Sequence, residues 1–156
     1  MATKTHLLIF FSFALMALSI ADATIPILLP PTRFVVNING TVFCTANGGP
    51  GVNGSATPVF PNALVQLRRL LVTVVASTTT NSAGIFAFNL TVSPTTFVAL
   101  STFQLRVQTP LATCNSTLSA NRVLTASLRF IETVRNGTTI IARFAPGPFV
   151  LTPRNI

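Results

Sequence analysis

The chain has 156 residues and a formal net charge of +8, with ten Lys and Arg against two Asp and Glu, a single His, and neither Trp nor Tyr. Beyond residue 23 the only acid is Glu132, and His, Lys and Asp are absent. Neither a Ser-His-Asp relay, nor a carboxylate pair, nor a metal-ligand cluster can be assembled from that stock. No catalytic, cofactor-binding or metal-ligating residue is therefore expected, and the chain is read as a non-enzyme.

Lys4 and His6 make a weak positive start, Leu7 to Ile20 is almost wholly apolar, and Ala21-Asp22-Ala23 follows as a small-x-small cleavage pattern. Residues 1–23 read as a secretory signal peptide. The apolar run falls short of the ~20 residues that cross a bilayer, so no transmembrane anchor is expected. The mature chain is expected outside the cell.

Residues 24–37 read as a Pro-containing arm leading into the first strand, because Pro26, Pro30 and Pro31 prevent a helix or a central strand. Residues 38–156 read as one domain. In "INGTVFCTA" Ile38, Gly40, Val42 and Cys44 share one face, with Asn39, Thr41 and Phe43 opposite. Phe43 is thus outward, with the Pro-rich arm as its expected cover. "NGGPGVNGSATPVFPN" is a loop on its Gly, Pro and Asn content.

Ala63, Val65, Leu67 and Arg69 then share a face, which puts Arg69 on the core side. A β-branched strand over Val72–Thr80 ends at the turn "TNSAG", and "IFAFNLTV" alternates with Phe86, Phe88, Leu90 and Val92 on one face before Pro94 closes it. "FQLRVQTP" repeats that arrangement with Phe103, Leu105 and Val107. "RVLTASLRFIETV" is a hairpin strand before the Asn136-Gly137 turn signal, and the last strand, "TIIARFAPGPFVL", is broken by Pro146-Gly147-Pro148. The fold class expected is all-β, an antiparallel β-sandwich of seven or so strands.

Cys44 and Cys114 are the only thiols and, in a secreted chain, are expected to be oxidised to each other. Glycosylation sequons stand at Asn39, Asn53, Asn89, Asn115 and Asn136. Asn39 and Asn89 fall on outward faces; Asn136 also serves the turn. The nine arginines after the leader are mostly scattered, without the aromatic ladder of a single-strand binder, so nucleic acid is not an expected partner. A microbial surface or an anionic cell-wall polysaccharide is, with Arg68, Arg106 and Arg143 as surface-binding candidates.

The stretches "INGTVFCTANG", "VFPNALVQLR", "STTTNSAGIFAF", "TPLATCNSTL" and "IARFAPGPFVL", in series, resemble the phylloplanin family and, more loosely, the pollen Ole e 1-like family. The resemblance implies a disulfide-bonded immunoglobulin- or transthyretin-like β-sandwich. It also implies a secreted plant-surface defence protein that holds back germination of fungal and oomycete spores. The looser likeness implies instead a structural module of the cell wall. Relatives carry cysteines at the places of Arg69 and Phe103, and their joint absence here implies that those two pair with each other in the relatives. Arg69 is accordingly expected to replace a covalent link by a cation–π contact with the Phe103 ring.

Overall fold

The computed structural model describes residues 30–52, 57–70 and 72–154. The segment read as a signal peptide, the start of the Pro-containing arm (24–29) and the Asn53 sequon lie outside the described residues. Eight strands stand among those described: β1 Arg33–Thr41, β2 Leu64–Arg69, β3 Thr73–Thr79, β4 Ile85–Val92, β5 Phe103–Val107, β6 Arg122–Asn136, β7 Thr139–Pro146 and β8 Val150–Pro153. The all-β class is as expected. Strand order is β3-β2-β5-β6-β7-β1-β4, with β8 beside β6, in a mixed sheet nearly closed into a barrel.

The 15-residue β6 makes this closure possible. Its first part pairs with β5 and β8, and its second part, from Leu128 to Asn136, pairs with β7. One strand thus belongs to both layers, β3-β2-β5-β6-β8 and β6-β7-β1-β4. The remaining departure from an antiparallel sandwich is the β1–β7 pair, which is parallel. The β6–β7 hairpin delivers β7 to the free edge of β1 and satisfies backbone groups that an open edge would leave unpaired.

The strands form where the period-two pattern places them. Val36, Ile38, Val65, Leu105 and Val107 are wholly buried, and Phe86, Leu67 and Phe103 nearly so. Together with Leu100, Leu111 and Phe149 they fill the space between the layers. β1 begins at Arg33, inside the segment read as the arm, because no proline stands between Pro31 and the end of β1 and the alternation already starts there.

The Gly- and Pro-rich loop also contributes to the core. Phe60 is fully buried, its N–H donating to the Val42 carbonyl at 2.9 Å, and Phe43 bridges to Val59. Burying one such ring stabilises by about 1.5–3 kcal/mol, more than the loop's composition suggests. In the "TNSAG" turn, Asn81 Oδ1 accepts from the N–H groups of Ala83 and Ile85, both at 2.9 Å. Gly84 there has φ +71°, and a Cβ would stand 2.7 Å from the Val42 carbonyl oxygen, so the position requires glycine.

A five-residue helix, α1 Pro94–Val98, follows β4. Ser93 caps it, Oγ accepting from Thr96 N at 3.2 Å, and Pro94 takes the first turn, where its missing N–H is harmless. Cys44 and Cys114 are disulfide-bonded, with Cα atoms 6.0 Å apart, and tie the end of the first strand's path to the 3-10 turn after β5.

Candidate functional site

Most strands bury one face, but the distal part of β6, from Arg129 to Asn136, is exposed at every residue. Phe130 is 56% exposed and Ile131 50%, large values for apolar side chains on a strand. The register shifts between Phe130 and Glu132, so Ile131 is the extra residue of a bulge, which re-aims neighbouring side chains. Phe130 packs its ring against Phe144 of β7, centroids 5.6 Å apart in an edge-on arrangement. The apolar surface is therefore held in place while remaining open to solvent.

Cations flank it. Arg135 Nε donates to the Gly137 carbonyl at 3.0 Å, which ties it to the hairpin end, where Gly137 has φ +57° and forms the turn with Thr138. Arg143 Nη1 donates to Glu132 Oε1 at 2.6 Å. Glu132 is the only acidic side chain beyond residue 23.

At the root of the hairpin lies an open cavity of about 450 Å³, walled by Phe43, Pro50, Arg129, Pro146 and Phe149 among others. The Asn47–Gly49 turn forms one side, Asn47 Oδ1 accepting from Thr45 Oγ1 at 2.8 Å and from Gly49 N at 3.2 Å. The Arg129 side chain makes no hydrogen bond or ion pair among the described residues. Half-buried Phe43 opens into this cavity; its expected cover, the arm before Pro30, lies outside the described residues.

The arginines singled out from sequence do not form one surface. Arg143 is exposed but paired with Glu132. Arg106 is only 8% exposed, although it sits on the outward side of β5, which takes it out of the surface set. Arg68 is half-buried on the neighbouring β2, where Gln66 lies opposite Arg106 and Arg68 opposite Gln104. Burial, followed by the charges of Arg68 and Arg154, pushes the Arg106 guanidinium below its ordinary value.

Arg69 stands corrected as well. It is exposed, not buried, because it stands at the very end of β2, where Leu70 turns the chain away at φ +51°. Arg69 does lie directly opposite Phe103 across β2 and β5, but no cation–π contact joins them. Asn39, Asn89, Asn115 and Asn136 are all exposed. Asn115 Oδ1 accepts from Thr117 N at 3.0 Å and Thr117 Oγ1 at 2.7 Å, so this sequon folds onto itself. Asn53 lies outside the described residues.

Sequence reasoning passed over Arg129, Phe130, Ile131 and Arg154. The adjacency of Phe130 and Ile131, which breaks strict alternation between two arginines, was the available signal. Among the described residues no three His, Cys, Asp or Glu side chains gather, and no helix is long and apolar enough to cross a membrane.

The sequence model of the Phylloplanin family, described as Phylloplanin antifungal protein, matches residues 32–156. A curated phylloplanin of Nicotiana tabacum is 44% identical over 146 residues, covering 92% of this chain and 93% of the relative. No solved structure matches the chain.

Proposed function

The chain belongs to the phylloplanin family, and on that premise we propose that it is a secreted, non-enzymatic antifungal protein of plant surfaces, acting by direct contact with microbial surfaces. The family's description as antifungal supports the antifungal part, and the distal half of β6 supports the mode of action. Residues 1–23 serve as the export signal, and the exposed sequons, Asn39, Asn89 and Asn115 first among them, are the sites for glycans.

The observation that carries this reading is the exposed Phe130–Ile131 pair, with Arg129 adjacent to it and Arg135 further along the same exposed strand. Each arginine near an anionic surface contributes about 1 kcal/mol. Half-exposed Phe and Ile side chains add roughly 1 kcal/mol apiece on insertion. The sum, on the order of 4 kcal/mol, corresponds to a dissociation constant near 1 mM. One molecule therefore binds weakly, and action depends on a dense surface deposit.

Spore germination in the presence of purified protein, together with retention on anionic vesicles, tests this. The triple variant Arg129→Gln, Phe130→Ser, Ile131→Ser is expected to lose most of both activities while keeping the native β-sheet circular dichroism spectrum. Undiminished inhibition by that variant rejects the contact surface.

The net charge of +8 favours a second reading, a structural cell-wall module holding acidic polysaccharide. Salt-sensitive retention on de-esterified pectin, with spores germinating normally, selects it over the first.

A further inference from the structure

We propose that the cavity at the root of the β6–β7 hairpin is a binding site for a small aromatic carboxylate, its ring taken up by Phe43 and the proline walls and its charge met by Arg129. The assignment rests on neither reading above, since it concerns a free molecule in solution, and its test involves neither spores nor a surface.

The walls are apolar and fixed in place. Phe43 is half-buried where it opens into the cavity, and its bridge to Val59 ties it to the neighbouring loop. Phe149 is almost wholly buried, and Gly48 packs so closely on it that a Cβ there would stand 2.9 Å from Leu124 Cδ1 and 3.0 Å from Phe149 Cβ. That close approach seats the Asn47–Gly49 turn on the core, so the cavity is built into the fold. Pro146 and Pro148 add apolar ring faces and, lacking an N–H, bring no backbone donor.

The polar groups set against these walls are few and complementary to an acceptor. Arg129 is exposed, and its guanidinium makes no hydrogen bond or ion pair among the described residues. Asn47 Oδ1 accepts from Gly49 N, which decides which amide atom is the oxygen, while the Nδ2 group makes no hydrogen bond among the described residues. No acidic side chain stands among the described residues that line the cavity. A guanidinium fork takes both oxygens of a carboxylate, and a second cation is repelled.

Size and wall chemistry select the body that carries the charge. About 450 Å³ lies in the range of small-molecule sites, and apolar walls reward carbon over further oxygens. An aromatic ring laid against Phe43 gains more than the area it buries, which favours it over a saturated ring. A nucleic acid or an acidic polysaccharide needs a row of cations, and a single arginine lines this cavity.

The test is a ligand-observed NMR titration of the purified protein near neutral pH with phenylpropanoate, its neutral amide phenylpropanamide, and cyclohexylpropanoate. Phenylpropanoate is expected to bind saturably, about tenfold or more tighter than the amide and tighter than the cyclohexyl acid. Arg129→Gln is expected to weaken the acid about tenfold or more and to remove its advantage over the amide, as for one charge-assisted hydrogen bond. Arg122→Gln, of equal net charge and outside the cavity, is expected to leave the binding of both unchanged. Phe43→Leu is expected to lose the preference for the aromatic ring; should it fail to fold, the cyclohexyl comparison in the native protein decides that part. Equal affinity for acid and amide, equal losses in the two arginine variants, or no saturation by about 10 mM overturns the site. Cyclohexylpropanoate binding as tightly as phenylpropanoate overturns the aromatic assignment.

Discussion

Thr80 shows how a single polar side chain holds two elements. It is 2% exposed between β3 and β4, its hydroxyl donating to the Phe60 carbonyl at 2.6 Å and accepting from Ala63 N at 2.8 Å. Valine has nearly the same shape and neither bond. Thr80→Val is therefore expected to destabilise by about 2 kcal/mol or more, since it leaves a buried donor and a buried acceptor unanswered. Urea unfolding measures it, and a loss under about 0.5 kcal/mol contradicts the bonding described. At the same scale, the Arg68-Arg69 doublet resolves into two unlike residues. Alternation assigned Arg69 to the core, and its place at the end of β2, before Leu70 turns the chain away, leaves it in solvent. Where a strand stops depends on its neighbours, so the period-two pattern cannot reveal it.

Among the elements, β2 and β5 explain what the missing cysteines of the relatives would do. Arg69 and Phe103 are direct cross-strand partners, a position from which two cysteines can reach each other. Arg69→Cys with Phe103→Cys is thus expected to form a second bridge, detectable as the absence of free thiols under denaturing conditions. Chain entropy credits that bridge with about 4 kcal/mol, while removing the buried Phe103 ring costs about 3–5 kcal/mol. The oxidised double variant should match the native protein in stability to within about 2 kcal/mol, and the reduced one should fall far below it. Persistent free thiols in the double variant, with the fold intact, contradict the β2–β5 register. The β6–β7 hairpin was legible in outline from "RNGTT", but the exposure of its distal end was not. Whether Phe130 meets core or water depends on how far the opposite layer extends, which no local pattern records.

For the molecule as a whole, the shortage of titratable groups has a direct consequence. Between residues 30 and 154 there is no His, Lys, Asp or Tyr, and both cysteines are bridged. The lowered Arg106 value has the sign of a group more costly to keep charged in the folded state than in the unfolded one. That penalty is constant at every pH below its folded pKa and eases only as pH rises through it. Unfolding free energy is therefore expected to be flat between about pH 6 and 9 in low-phosphate buffer, where ordinary carboxylates, lysines and tyrosines do not titrate. A slope of more than about 1 kcal/mol per pH unit in that range points to a titrating group not accounted for. The sequence by itself determined the all-β class, the Cys44–Cys114 bridge and the inward faces of β1, β4 and β5, because these follow from residue inventory and local period. Only the tertiary structure decided that β6 serves both layers, that β1 and β7 run parallel, that Phe60 belongs to the core, and that Arg106 lies buried among like charges. Each of those depends on which distant strands meet and in what register, a choice settled by the packing of the whole chain.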